Sequence, residues 1–162
     1  MSIKQGELFC GVNQAFVRDF MAIAHNAFFP ADALLFRRNQ PADRFFILIK
    51  GEVALSLGDD DQAVYVGRSV GEIIGWCAMI GRDVFDTNAR CLTPTYVLTV
   101  DRGRFLRLLE QDTENGFLVY RCLAASLGTR LLDCYQKLSG MGAAARLSGR
   151  DVPAAATSGI PE

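Results

Sequence analysis

The 162-residue sequence predicts a mainly β domain with flanking helices: a small sandwich or roll followed by a long C-terminal helix. Three observations carry this expectation. Apolar residues alternate within the middle of the chain, with Val53, Leu55 and Leu57 set against Glu52, Ala54 and Ser56, as on a strand with one buried and one solvated face. Short β-forming runs recur there at close, regular spacing, separated by turn-forming residues. On either side of that region the apolar period changes to the helical one.

The elements follow in order. Residues 6–28, GELFCGVNQAFVRDFMAIAHNAF, place Phe16, Phe20, Ile23, Ala24 and Ala27 at helical intervals. They predict one or two short helices before a turn at Pro30. RFFILIK is a dense β-forming run, and Gly51 separates it from the next strand, where a tight bend or a close backbone approach is expected. Gly58-Asp59-Asp60-Asp61 is a turn by composition. AVYVG and SVGEIIG are further strands, and NARCLTPTYVLTVD holds two more around Thr93-Pro94-Thr95. RGRFLRLLEQD is a short helix with Phe105, Leu108 and Leu109 on one side. Asp112 opens a long helix, and Ser139-Gly140 is its expected stop. Residues 1–138 are thus one domain ending in a helix over about 112–138. Residues 139–162, rich in Ala, Gly, Ser and Pro, are expected to be a disordered tail.

Composition narrows the function. Half of the residues are hydrophobic, 22% are charged and the net charge is −1, which gives no basic face for nucleic acid and no acidic disordered activator. No run reaches the roughly 18 apolar residues of a membrane span, and residues 1–9 lack an export signal. The five cysteines, Cys10, Cys77, Cys91, Cys122 and Cys134, form no CxxC pair, so free thiols in a reducing cytoplasm are expected, with neither a disulfide framework nor a metal site. His25 is the sole histidine, on the expected N-terminal helix, and reads as structural or surface. No GxSxG, GxxxxGK[ST] or GxGxxG occurs, and no catalytic residue, enzyme activity or cofactor is expected.

The long helix carries a seam. Phe117, Tyr120, Ala124, Leu127, Leu131, Cys134 and Leu138 recur at alternating intervals of three and four, a heptad stripe. A second apolar row runs through Leu118, Leu123 and Leu132. A helix of about 27 residues is about 40 Å long, more than a small domain can cover. One row is therefore expected on the β domain and the heptad row in a homodimer.

These pieces, in this order, resemble the cyclic nucleotide-binding domain superfamily over roughly residues 10–138. The resemblance rests on LLFRRNQPADRFFILIKGEVAL, on SVGEIIGW and on TPTYVLTVDRGRFLRLLE. It implies a double-stranded β-helix, or jelly roll, like that of the catabolite activator protein, in a standalone bacterial member that serves regulation and signal transduction. In that family a phosphate-binding cassette offers backbone N–H groups and an arginine to the cyclic phosphate, and a glutamate to the ribose hydroxyl. Gly75 matches the glycine before that glutamate, but Trp76 takes the glutamate's place and the arginine's place falls on Phe85 or Asp86. The candidate cassette comprises Gly71, Glu72, Gly75, Trp76, Cys77, Arg82, Asp86, Thr87, Asn88 and Arg90. Trp76 is read either as core packing or as a stacking floor for a planar ligand. The resemblance implies a sensor domain that binds cyclic AMP or GMP weakly or not at all. Two alternatives stand beside it: a binder of a cyclic nucleotide or other small ligand through Arg82 or Arg90, and a ligand-free scaffold for an unidentified protein partner. Residues 139–162 are not expected to build a DNA-recognition helix, so no DNA binding by the chain alone is expected.

Overall fold

The structure, a computed structural model, describes residues 8–58 and 62–148, with side chains as far as Ser139. The order is α1 (Gln14–Ile23), β1 (Ala24–Phe29), β2 (Leu34–Phe36), β3 (Arg44–Lys50), β4 (Val53–Ser56), β5 (Ala63–Gly67), β6 (Ile73–Ile74), a 3-10 turn (Trp76–Ala78), β7 (Asn88–Cys91), β8 (Thr95–Asp101), α2 (Arg102–Gln111) and α3 (Thr113–Ser148). The strands form two antiparallel four-stranded sheets, ordered β1-β8-β3-β6 and β2-β7-β4-β5. This is the expected mainly β roll with flanking helices.

Aromatic rings join the layers. Phe46 of β3 and Phe36 of β2 come from different sheets and stack at 6.1 Å, so the core lies between the sheets. Phe45 of β3 meets Phe105 of α2 at 4.9 Å, and Phe105 meets Phe20 of α1 at 6.2 Å, which fastens both short helices to the first sheet. Gly51 adopts φ 107°, and a Cβ there would stand 2.5 Å from Thr95 Oγ1, so the β3–β4 bend needs glycine for both conformation and space. Asp101 caps α2 by accepting from the Arg104 N–H at 2.8 Å, and Asp112 caps α3 by accepting from the Asn115 N–H at 3.1 Å.

Four expectations are corrected. The N-terminal helix stops at Ile23, and Ala24–Phe29 is a strand in register with β8 from Ala24↔Val100 to Phe29↔Thr95. His25 therefore lies exposed on β1 rather than on a helix. Ala24 and Ala27 suit a helical period on paper, yet the open edge of β8 supplies backbone partners that outweigh it, and Phe28 packs on Tyr96 at 4.9 Å. Second, β4 is buried on all four residues rather than on one face. It lies between β7 and β5, and Asn88 Nδ2 comes within 3.4 Å of Ser56 Oγ on the face expected to be wet.

Third, α3 continues past Ser139-Gly140 to Ser148. The Ala143–Ala145 run with Arg146 and Leu147 favours helix strongly enough to carry it through the glycines, each of which costs about 1 kcal/mol. The rest of the expected tail, 149–162, lies outside the described residues. Fourth, Cys10 and Cys122 form a disulfide, with Cα atoms 6.1 Å apart, while Cys77, Cys91 and Cys134 are free. Cysteine spacing is blind to this pairing because the two residues are 112 positions apart and only the fold brings them together.

The described residues divide into two units, the first ending at Ala124 and the second beginning at Ala125. In the first, Val119, Cys122 and Leu123 of α3 are buried, whereas Phe117 is 66% exposed. In the second, Leu131, Leu132, Tyr135 and Leu138 all stand exposed. No helix among the described residues is long and apolar enough to cross a membrane.

Candidate functional site

The segment between β6 and β7 is built from tight local turns. Gly75 adopts φ 81° and swings the chain from β6 into the 3-10 turn, which is closed by Ala78 N–H to Gly75 O at 3.1 Å and Met79 N–H to Trp76 O at 2.9 Å. A Cβ on Gly75 would lie 3.0 Å from the Phe85 ring and 3.2 Å from that of Phe36, so the glycine also makes room for two aromatic neighbours. Further on, residues 83–85 are pinned to the 39–42 turn. Ala42 N–H donates to Asp83 O, Phe85 N–H to Gln40 O and Asn39 N–H to Phe85 O, each at 2.9 Å.

That pinning turns Phe85 inward. It is buried and stacks on Phe36 with ring centroids 3.8 Å apart and planes 13° from parallel. Asp86 points the other way and receives the Arg82 guanidinium at 2.7 Å. Cys77 Sγ lies 3.5 Å from the same carboxylate, and burial pushes this thiol above its ordinary value. Trp76 and Thr87 are half-buried. Arg82 and Cys77 thus meet on the Asp86 carboxylate, and Trp76 opens the 3-10 turn that holds Cys77.

Other candidates are placed elsewhere. Glu72 is buried, and its carboxylate accepts from the Tyr65 hydroxyl and from the N–H groups of Arg68 at 2.9 Å and Ser69 at 3.0 Å. It holds its own loop, which Gly71 anchors by donating to Leu48 O at 2.7 Å. Asn88 accepts from Arg38 N–H at 2.9 Å and donates to Gly58 O at 3.1 Å, tying two loops of the second sheet. Arg90 donates to the carbonyl of Asp32 at 3.3 Å, in the turn ahead of β2. These three side chains serve the framework around the cassette.

Two contacts went unread in the sequence. The Tyr120 hydroxyl donates to Met79 O at 2.9 Å, and Arg102 donates through Nη1 to Arg82 O at 2.8 Å. The cassette is therefore bonded to α3 and to α2 alike. Tyr120, read as a residue of the dimer seam, reaches the cassette of its own chain; a heptad stripe shows which residues share a face but not what that face meets. A groove of about 700 Å³ lies apart, flanked by Phe28, Tyr96 and Ile49 on the first sheet.

Residues 27–112, more than half of the chain, match the family model described as the cyclic nucleotide-binding domain. The chain belongs to that family. Solved structures agree on the cyclic nucleotide-binding fold. A cyclic nucleotide-binding domain from Methylobacillus flagellatus KT superposes with a TM-score of 0.74 at 21% identity, covering 86% of this chain and 79% of that one. A putative cyclic nucleotide-binding protein from Geobacter metallireducens GS-15 gives 0.69 at 23% identity, over 76% and 91%. The catabolite activator protein of Thermus thermophilus gives 0.67 at 18% identity, over 85% and 63%. No curated protein matches the sequence.

Proposed function

We propose that this cyclic nucleotide-binding domain is a non-catalytic sensor whose cassette binds cyclic AMP and cyclic GMP weakly or not at all. The supporting observation is the Arg82–Asp86 pair, 2.7 Å long, beside the buried Phe85. A cyclic phosphate needs an uncompensated positive group and a sugar acceptor. Here one position matching the family's arginine is an aromatic core residue, the other is a carboxylate, and the nearest guanidinium is already matched by that carboxylate. A phosphate held about 4 Å from Asp86 would be opposed by about 4 kcal/mol at an effective dielectric of 20. Trp76 in place of the glutamate offers an N–H donor and no acceptor.

The regulatory output runs through the two bonds from the cassette. A ligand or partner that moves the turn at Met79–Arg82 pulls on Tyr120 of α3 and Arg102 of α2. The domain acts as a cytoplasmic homodimer through the heptad row of α3, and the exposure of Phe117, Leu131 and Leu138 supports that reading. A second reading keeps Arg82 as an anchor: its ion pair is half-exposed, and such pairs hold by at most about 1 kcal/mol, so an anion that displaces Asp86 would meet a guanidinium.

A thermal-shift screen separates the readings. A ligand at a hundredfold its Kd adds about 2.7 kcal/mol to stability. Cyclic AMP, cyclic GMP and cyclic dinucleotides are expected to leave the melting temperature unmoved; a clear rise with any of them favours the Arg82 anchor.

A further inference from the structure

We infer that Cys10 and Cys122 form a reversible thiol–disulfide exchange site, a redox latch between the N-terminal segment and α3. This is independent of whether the cassette holds a nucleotide. Residues 8–13 lie along the start of α3. Leu8 and Phe9 are buried, Phe9 meets Phe20 edge-on at 4.9 Å, and Asn13 N–H donates to Asn115 Oδ1 at 3.0 Å. A Cβ on Gly11 would touch Leu118 and Arg121 at 4.0 Å. This strap sets the two cysteine Cα atoms 6.1 Å apart, within the range that a disulfide spans.

The site suits both redox states. Cys122 Sγ lies 3.1 Å from the carbonyl oxygen of Cys10, so once reduced its thiol has an acceptor in place and the buried sulfur is not left unpartnered. The two ends differ in access: Cys10 is exposed and Cys122 is buried. An incoming low-molecular-weight thiolate therefore attacks Cys10 Sγ. The S–S bond breaks, its electron pair goes to Cys122 Sγ, and that sulfur takes up the proton which the attacking thiol released. A second thiolate attacks the small-molecule sulfur of the mixed disulfide, and Cys10 leaves and is protonated. Two small thiols are oxidised to their disulfide and the protein disulfide is reduced to two thiols; the reverse sequence closes the latch. Cys77 and Cys91 are buried and their thiols are pushed up by burial, so they stand outside this exchange.

The latch fixes α3 at Cys122, two residues before the first unit ends at Ala124. Reduction frees the strap from its covalent anchor while the contacts of Leu8, Phe9 and Asn13 persist.

The test uses the full chain in mixtures of reduced and oxidised glutathione, trapped with an alkylating agent and peptide-mapped. The expected result is a Cys10–Cys122 linked peptide that forms under oxidised glutathione and opens under reduced glutathione without unfolding, with Cys77 and Cys91 unmodified throughout. Amide exchange in residues 8–13 and 113–124 is expected to be about tenfold or more faster in the reduced state. Cys10→Ser, at an exposed position, is expected to fold and to show the fast exchange at every glutathione ratio. The inference is overturned by a linked peptide that never forms, by one that glutathione leaves closed in the folded chain, by exchange rates equal in both states, or by an oxidant response that survives in Cys10→Ser.

Discussion

The guanidinium of Arg82 sits 2.7 Å from the carboxylate of Asp86, four residues further along the same turn. Charge that a phosphodiester would seek is cancelled within the cassette. Removing the acid reverses this. Asp86→Ala is expected to cost under about 1 kcal/mol of stability, because the pair is half-exposed. It also removes the repulsion of an incoming phosphate. Calorimetric titration with cyclic AMP is expected to show at least tenfold tighter binding to Asp86→Ala than to the parent chain. Equal affinities would show that Asp86 does not guard the site.

Phe85 contributes to the core. Its ring stacks on Phe36 and fills the space beside Gly75. Phe85→Ala is expected to cost about 3–5 kcal/mol, read as a fall in the urea midpoint at unchanged slope. A loss below about 1 kcal/mol would mean that the ring is not a structural part of the roll.

The Tyr120 hydroxyl bonds α3 to the Met79 carbonyl, and its pH dependence gives a signature. Burial raises its phenol above the ordinary value of 10.0, so the folded state holds the proton more tightly than the unfolded one. The stability this contributes is complete below pH 10 and is lost as pH rises through the folded-state value. Tyr120→Phe is expected to lose about 0.5–1.5 kcal/mol at neutral pH and to show a shallower decline above pH 10 than the parent. Amide exchange at residues 79–82 is expected to quicken as the Met79 carbonyl loses its donor. Identical alkaline limbs for the two proteins would count against the contact.

Along α3 the apolar row Leu131 and Leu138 is exposed. A dimer that covers it gains about 1.5–3 kcal/mol per leucine. Leu131→Glu combined with Leu138→Glu is therefore expected to convert the proposed dimer to a monomer in sedimentation equilibrium without lowering the helix content. A double variant with an unchanged mass, or a parent chain that is monomeric at high concentration, would remove this face as the interface.

The roll was legible because its signals are local. The short β-forming runs, the left-handed bend at Gly51 and the cap Asp112 each act within a few residues of themselves, whereas the alternation at Val53 and Leu55 gave no sign that β4 is buried on both faces. Strand β1 was not legible, because the apolar residues of AHNAFF fit either period and the edge of β8 decided between them. The end of α3 was misread for a related reason: Ser139-Gly140 stops a helix only where the residues after it disfavour helix, and an alanine run does not. Within the candidate cassette, the proposed departures from the family's pattern at Trp76, Phe85 and Asp86 are read from the sequence itself. The engagement of Glu72 with Tyr65, the turn of Arg90 toward Asp32 and the reach of Tyr120 to Met79 depend on which way side chains face across the fold, as does the Cys10–Cys122 bond.

The most direct measurement is a crystal structure of the chain grown with saturating cyclic AMP. Arg82 is expected to remain on Asp86 and Phe85 on Phe36, with no nucleotide between β6 and β7. A cyclic phosphate seated in that turn, with an arginine on its oxygens, would contradict this expectation.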